Sequence, residues 1–129
     1  MMIGTSRTRV EGPAKVTGAV KYFADNYPAG TLRAVTVGAP IAHGRIVAID
    51  TARAVRVSGV VRILVAADIP RFGQLTRPAA VYKSPMQDDW IEWEGQPVAM
   101  VLAETLEAAE EAAALVRVST QAQPPIVPA

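Results

Sequence analysis

Apolar residues come in short bursts along this chain, punctuated by glycine and proline. Asn26-Tyr27-Pro28-Ala29-Gly30 reads as a turn, because proline fixes φ and glycine permits positive φ. Thr31–Ala39 follows as a strand that Pro40 ends. The β-branched run within Gly44–Asp50 predicts a second strand, and Asp50 or Thr51 is placed to cap a short helix through Val57, stopped by Gly59. Val60–Val65 is almost wholly apolar, which predicts a strand buried on both faces. Pro97–Ala103 predicts another buried strand, after a turn at Gly95-Gln96. In Thr105–Val116, Leu106, Ala109, Ala113 and Val116 share one face at helical spacing, while Glu107, Glu110 and Glu111 line the other, so this is the clearest helix. Val116–Thr120 is expected to continue as a last strand.

Two regions lack a sustained period. Residues 1–18 read as an irregular arm, with a short strand expected over Lys15–Phe23, where Val16, Val20 and Tyr22 alternate. Residues 71–90 carry Gly73, Pro78, Pro85 and Asp88-Asp89; so long an irregular stretch in a small domain reads as a docking loop, with Phe72, Leu75, Val81, Tyr82 and Met86 seeking a partner surface. Order resumes at Trp90-Ile91-Glu92-Trp93-Glu94, where Ile91 and Trp93 alternate with acids. Strands, a short helix, a strand, a loop, strands, a longer helix and a strand make an α+β domain, with too few crossover helices for a doubly wound sheet.

The chain has 129 residues, half of them hydrophobic, which suits one folded domain and excludes wholesale disorder. It has no cysteine, so disulfides, thiol chemistry, zinc fingers and iron–sulfur ligation within the chain are excluded, and its one histidine excludes a His-rich metal site. The longest apolar run, near Pro97–Ala103, falls far short of the roughly 20 residues of a membrane span. The opening Met1–Arg7 holds no apolar segment of the signal-peptide kind. Net charge is +1 but uneven: residues 1–80 hold 11 Lys and Arg against 4 Asp and Glu, and residues 81–129 hold 2 against 8. A basic half raises a nucleic-acid surface. The arginines are scattered singly, however, and mutual neutralisation on folding is the plainer reading. A free-standing small binding module, for nucleic acid or protein, is the alternative function.

Few residues are candidates for chemistry. His43 sits in the turn Pro40-Ile41-Ala42-His43-Gly44 without a nucleophile or orienting carboxylate beside it in sequence, so a turn histidine bonded locally or to a partner surface outweighs a general base. Asp88, Asp89, Glu92 and Glu94 form an acidic cluster without calcium-loop spacing, and read as a solvated loop and polar strand face. Trp90 and Trp93 lie in that acidic half, where phosphate is repelled, and read as core or interface residues rather than base-stacking platforms. Gly12-Pro13-Ala14-Lys15-Val16-Thr17-Gly18 has glycines and a lysine but not the preceding strand and following helix of a phosphate loop. No nucleophile elbow occurs.

Four motifs, in order, carry a family resemblance. Arg9-Val10-Glu11-Gly12-Pro13-Ala14-Lys15-Val16-Thr17-Gly18-Ala19-Val20-Lys21-Tyr22 resembles the opening of the large subunits of xanthine dehydrogenase and aldehyde oxidase, Arg-x-Asp-Gly-x-x-Lys-Val-Thr-Gly-x-Ala-x-Tyr. Gly38–Ile46 resembles their Ser-Pro-x-Ala-His-Ala-Arg-Ile, Ser58–Pro70 their Pro-Gly-Val…Thr-Ala-x-Asp-Ile-Pro, and Glu94–Thr105 their Gly-Gln/Glu-Pro-Val-Ala…Ala-Glu-Thr. Glu11 replaces the usual Asp and Gly44 the usual Ala.

The resemblance implies an α/β hammerhead domain over residues 1–122, with a mixed β-sheet, one longer and one short helix, and a Pro-rich tail, residues 123–129, leading to cofactor-binding domains. It is closest to bacterial aldehyde-oxidising members, which continue for several hundred residues more, so the chain is expected to be an excised domain or a truncated product. The implied role is a non-catalytic scaffold or docking domain of a molybdenum hydroxylase large subunit. The whole enzyme would hydroxylate aldehydes or N-heterocycles with water-derived oxygen. Its cofactor would be molybdenum–pterin, with iron–sulfur clusters and FAD on partner subunits or domains. The expected partners are the molybdopterin-binding domains of the same subunit and the iron–sulfur and FAD subunits, with no nucleic acid and no membrane span. The family's catalytic glutamate and cofactor motifs lie beyond Ala129, so no residue here is assigned a catalytic, cofactor-binding or metal role. The implied location is cytoplasmic, or periplasmic by co-export with a partner.

Overall fold

The computed structural model describes Gly4, residues 8–72 and residues 84–125. The chain divides into two compact units, Met1–Thr31 and Leu32–Ala129.

In the first unit, the strand expected over Lys15–Phe23 does not form. A short helix, α1 (Gly12–Val16), takes its start instead. Pro13 stands at the first helical turn, where its missing N–H is no loss, and Gly18 leaves the helix at φ +71. Val16, the first residue of the expected alternation, is 87% exposed, so no sheet rewards the pattern. Arg9 Nε donates to Glu11 Oε1 at 2.6 Å and holds that carboxyl below the usual carboxylate range. A 3-10 turn spans Phe23–Asp25, closed by the Tyr22 N–H donating to Asp25 Oδ2 at 2.8 Å. The Pro28–Gly30 turn forms as expected: the Thr31 N–H donates to the Pro28 carbonyl and Gly30 takes φ +79.

Among its described residues the second unit holds six strands in two sheets. They are β1 (Arg33–Gly38), β2 (Gly44–Asp50), β3 (Val60–Val65), β4 (Trp90–Ile91), β5 (Pro97–Ala103) and β6 (Arg117–Ala122). The α+β class holds, but every pairing is antiparallel, and the strands form two three-stranded sheets, β1-β5-β3 and β4-β2-β6, rather than one mixed sheet. The longer helix, α2 (Leu106–Leu115), begins at Thr105, whose hydroxyl accepts the Ala108 N–H at 3.1 Å.

β5 is the centre of the first sheet, and its Val98, Ala99, Val101 and Ala103 are buried. Val101 lies opposite Val35 on one side and Ile63 on the other. It meets Ala109 and Ala112 of α2 and Ala54 in one core cluster. Full burial of a valine of this kind stabilises by roughly 1.5–3 kcal/mol. Val98 points the other way, into a second cluster with Ala39 and Ile91, against which Ile46, Ile49 and Val118 pack.

Three further expectations change. α2 turns Ala109 and Ala112 inward and leaves Leu106 48% exposed, because alanine lets the helix sit close on the sheet. The helix expected through Val57 shrinks to a 3-10 turn at Ala54–Arg56, although Asp50 Oδ1 does accept the Ala52 N–H and Gly59 does take positive φ. β3 is an edge strand with Val61 55% exposed and no fully buried residue, so it is not the strand buried on both faces that its apolar run predicts.

Candidate interaction site

The sequence candidates converge on the β4-β2-β6 sheet. β2 sits between β4 and β6, and its register pairs Arg45 with Trp90 and Gly44 with Ile91. Alternation along a strand therefore puts His43, Arg45 and Trp90 on one face and sends Ile91 into the core. The Arg45 guanidinium lies 4.1 Å from the Trp90 ring centroid, and its Nη1 is 2.7 Å from Asp89 Oδ2. The His43 ring stacks against the same indole, with centroids 6.0 Å apart and planes 17° from parallel. His43 Nδ1 is 2.9 Å from the Pro124 carbonyl oxygen. A carbonyl only accepts, so Nδ1 carries the proton, and in the neutral ring Nε2 keeps its lone pair. The Gln123 N–H donates to the His43 carbonyl at 2.9 Å, so the lone histidine is fastened to the chain beyond β6.

Gly44 permits this geometry. Its φ is +151, and a Cβ there would collide with the Gln121 carbonyl oxygen of β6. The sequence shows Gly44 only as a small departure from the usual alanine; in this backbone a side chain there would run into Gln121 and Ala122 of β6.

The expected alternation of Ile91 and Trp93 breaks. Ile91 is fully buried, but the strand ends there and Trp93 is 46% exposed. The turn is fixed by Gln96, which is 3% exposed. Its Oε1 accepts the Glu92 N–H at 2.8 Å and its Nε2 donates to the Trp90 carbonyl at 2.7 Å. Gly95 takes φ +82, and the Gly95 N–H donates to the Ala39 carbonyl. The sequence reading gave Gly95-Gln96 as a turn and as part of a family motif but assigned Gln96 no anchoring role; a glutamine opening an apolar strand was the available signal.

These residues surround a cavity of about 720 Å³ lined by Ala42, His43, Trp90, Glu92, Trp93, Glu94 and Pro125. The acidic cluster does not act as one group. Asp89 pairs with Arg45, Asp88 Oδ1 accepts the Trp90 N–H, and Glu92 and Glu94 face this cavity. A second cavity, also about 720 Å³, lies among Ile46, Ile49, Val65, Ile69 and Met86, rimmed by Arg71 and Asp88.

Of the proposed docking loop, residues 73–83, including Leu75, Val81 and Tyr82, lie outside the described residues. At its ends, Gln87 accepts the Phe72 N–H at 2.9 Å and donates to the Pro70 carbonyl at 3.3 Å, which holds the two flanks together. Phe72 is 61% exposed, whereas Met86 is 7% exposed, so its own domain already buries it.

The described residues offer no cluster of metal ligands. Among them there is no group of three or more His, Cys, Asp or Glu placed to hold a metal ion. Gln96, the buried polar side chain, spends its amide on its own backbone, and no described buried side-chain nitrogen or oxygen lacks a partner. These observations single out no described residue as a holder of a molybdenum–pterin cofactor. Among the described residues no helix is long and apolar enough to cross a membrane.

Comparison with known proteins agrees with this geometry. The profile of the aldehyde oxidase and xanthine dehydrogenase a/b hammerhead domain matches residues 17–124. The chain belongs to that domain family. Among similar proteins, the nicotine 6-hydroxylase large subunit of Paenarthrobacter nicotinovorans is 34% identical over 89% of this chain and 15% of its own length. The aldehyde oxidoreductase molybdenum-binding subunit PaoC of Escherichia coli K12 is 32% identical over 90% of this chain and 16% of its own. The CO dehydrogenase structure from Oligotropha carboxidovorans superposes with a TM-score of 0.75 at 30% identity, covering 97% of this chain and 16% of that one. The aldehyde oxidoreductase from Desulfovibrio gigas gives 0.70 at 31% identity, over 90% of this chain and 14% of that one. The chain thus spans only about 15% of the length of the curated relatives it matches.

Proposed function

We propose that this chain is a non-catalytic scaffold domain of a molybdenum-dependent aldehyde or xanthine oxidoreductase large subunit. The observation that carries the reading is the hammerhead match over residues 17–124 in a chain spanning about 15% of its relatives. On this reading the hydroxylation, with oxygen from water, belongs to molybdopterin-binding domains of the same subunit. Iron–sulfur and FAD subunits complete the electron path, and the proline-rich segment 123–129 leads from the domain at residues 1–122 to the cofactor domains. The assembly is cytoplasmic, or periplasmic by co-export.

The test uses the whole subunit. His43→Ala should lower activity only as far as it lowers assembly, read as turnover per bound molybdenum in purified, cofactor-loaded enzyme. A fall of about a thousandfold with assembly intact, the scale of a lost acid–base group, would overturn the scaffold reading. The alternative, a free-standing nucleic-acid module, predicts tight DNA binding that weakens steeply with salt. The scaffold reading predicts none.

A further inference from the structure

The cavity beside Trp93 combines flat aromatic surface with negative charge. Both tryptophans of the chain line it, together with the imidazole of His43 and the carboxylates of Glu92 and Glu94. Trp93 is 46% exposed, so much of its indole is open to a partner at this cavity. The lining favours a cation: its two carboxylates, Glu92 and Glu94, are accompanied by no Lys or Arg. The same sheet also shows the recognition chemistry in use, since Arg45 lies over Trp90 at 4.1 Å while its guanidinium is held by Asp89 at 2.7 Å. A planar cation gains both from an indole face and from a carboxylate fork.

We propose that this cavity is a binding site for the guanidinium group of an arginine presented by another polypeptide segment, stacked on Trp93 and paired with Glu94. A guanidinium suits it better than an ammonium. Its flat, weakly hydrated plane lies against indole, and its five donors serve a carboxylate and the His43 Nε2 lone pair together. The tautomer set by the bond from His43 Nδ1 to Pro124 leaves that nitrogen an acceptor. The inference rests on this chain alone and does not depend on the enzyme of which it is proposed to be a part.

The probe is an acetylated Gly-Arg-Gly amide, titrated into the 15N-labelled chain at low salt, with the Gly-Lys-Gly and Gly-Leu-Gly amides beside it. The expected result is a saturable shift confined to the signals of residues 42–44 and 90–94, with a Kd of roughly millimolar order. The lysine peptide should bind about fivefold more weakly, and the leucine peptide should give no saturable shift. Trp93→Ala should weaken binding about tenfold, the scale of one desolvated cation–π contact, and Glu94→Gln several-fold. Both side chains are exposed, so thermal unfolding should show each variant folded; Trp93→Phe serves in place of Trp93→Ala if it does not. Absence of saturation by about 20 mM peptide, equal binding of the arginine and lysine peptides, or an unchanged Kd in the Trp93 variant would each overturn the site.

Discussion

The side-chain amide of Gln96 donates to the backbone carbonyl of Trp90 at 2.7 Å, across a turn whose other rung is the Glu92 N–H on Gln96 Oε1. One buried side chain thereby replaces two missing backbone bonds where β4 stops. Leucine at position 96 would match the volume and remove both of these hydrogen bonds. Gln96→Leu is expected to destabilise the chain by about 2–4 kcal/mol, read as a shift in urea midpoint. The Trp90 and Trp93 fluorescence should change with it, since both flank the turn.

Asp68 links folding to acid. Its Oδ2 accepts the Val65 N–H at 3.0 Å and Oδ1 takes Arg62 Nη2 at 3.2 Å. The Val65 bond first, then Arg62, holds its carboxyl below the ordinary range. A carboxyl depressed in the folded state contributes stability that is present above its unfolded pKa and is lost as pH falls through the folded one. Asp68→Asn should therefore be less stable than the parent at pH 7, and the gap should narrow as pH falls below about 4. Urea midpoints of the two proteins at pH 7, 4 and 3 give the comparison.

Helix α2 supplies a contrast between a sequence expectation and a buried contact. Ala109 has no exposed surface against Val101 and Ala103, whereas Leu106 is 48% exposed. Ala109→Leu should destabilise by about 1–3 kcal/mol through overpacking, while Leu106→Ala should change stability by about 0.5 kcal/mol or less. The reverse order in thermal or urea unfolding would mean that α2 is rotated from the orientation described.

The cap of the same helix is separable from its packing. Thr105→Ala removes the acceptor for the Ala108 N–H and should lower stability by about 1 kcal/mol. Thr105→Ser keeps the oxygen and should recover most of it. Equal loss in both variants would assign the effect to the threonine methyl group instead.

Much of the fold was legible because its signals are local. Pro97–Ala103 and Gly44–Asp50 form as strands with the bounds that their apolar runs and flanking turns predict, and the alanine–glutamate helix begins at the threonine that caps it. The family was legible for a related reason: its motifs fall on turns and strand starts, where particular residues are needed, as Gly59 and Gly95 show with φ of +86 and +82. Less legible was Lys15–Phe23, whose alternation predicts a strand; alternation stabilises a strand only where another strand accepts its hydrogen bonds.

By itself, then, the sequence determined the five longer strands and helix α2 of the described residues 32–122, the fold class and the absence of thiol chemistry, all of which follow from residue type and near-neighbour spacing. Only the tertiary structure decided that the strands divide into two antiparallel sheets, that Ala112 rather than Leu106 meets the core, and that Trp93 stays half outside while Ile91 goes in. The interaction site belongs to that second group. His43 meets Pro124 across 81 positions and Arg45 meets Asp89 across 44. Such contacts depend on strand register, which the hydrophobic faces of several strands settle together as they bury one another, and no local pattern records that outcome.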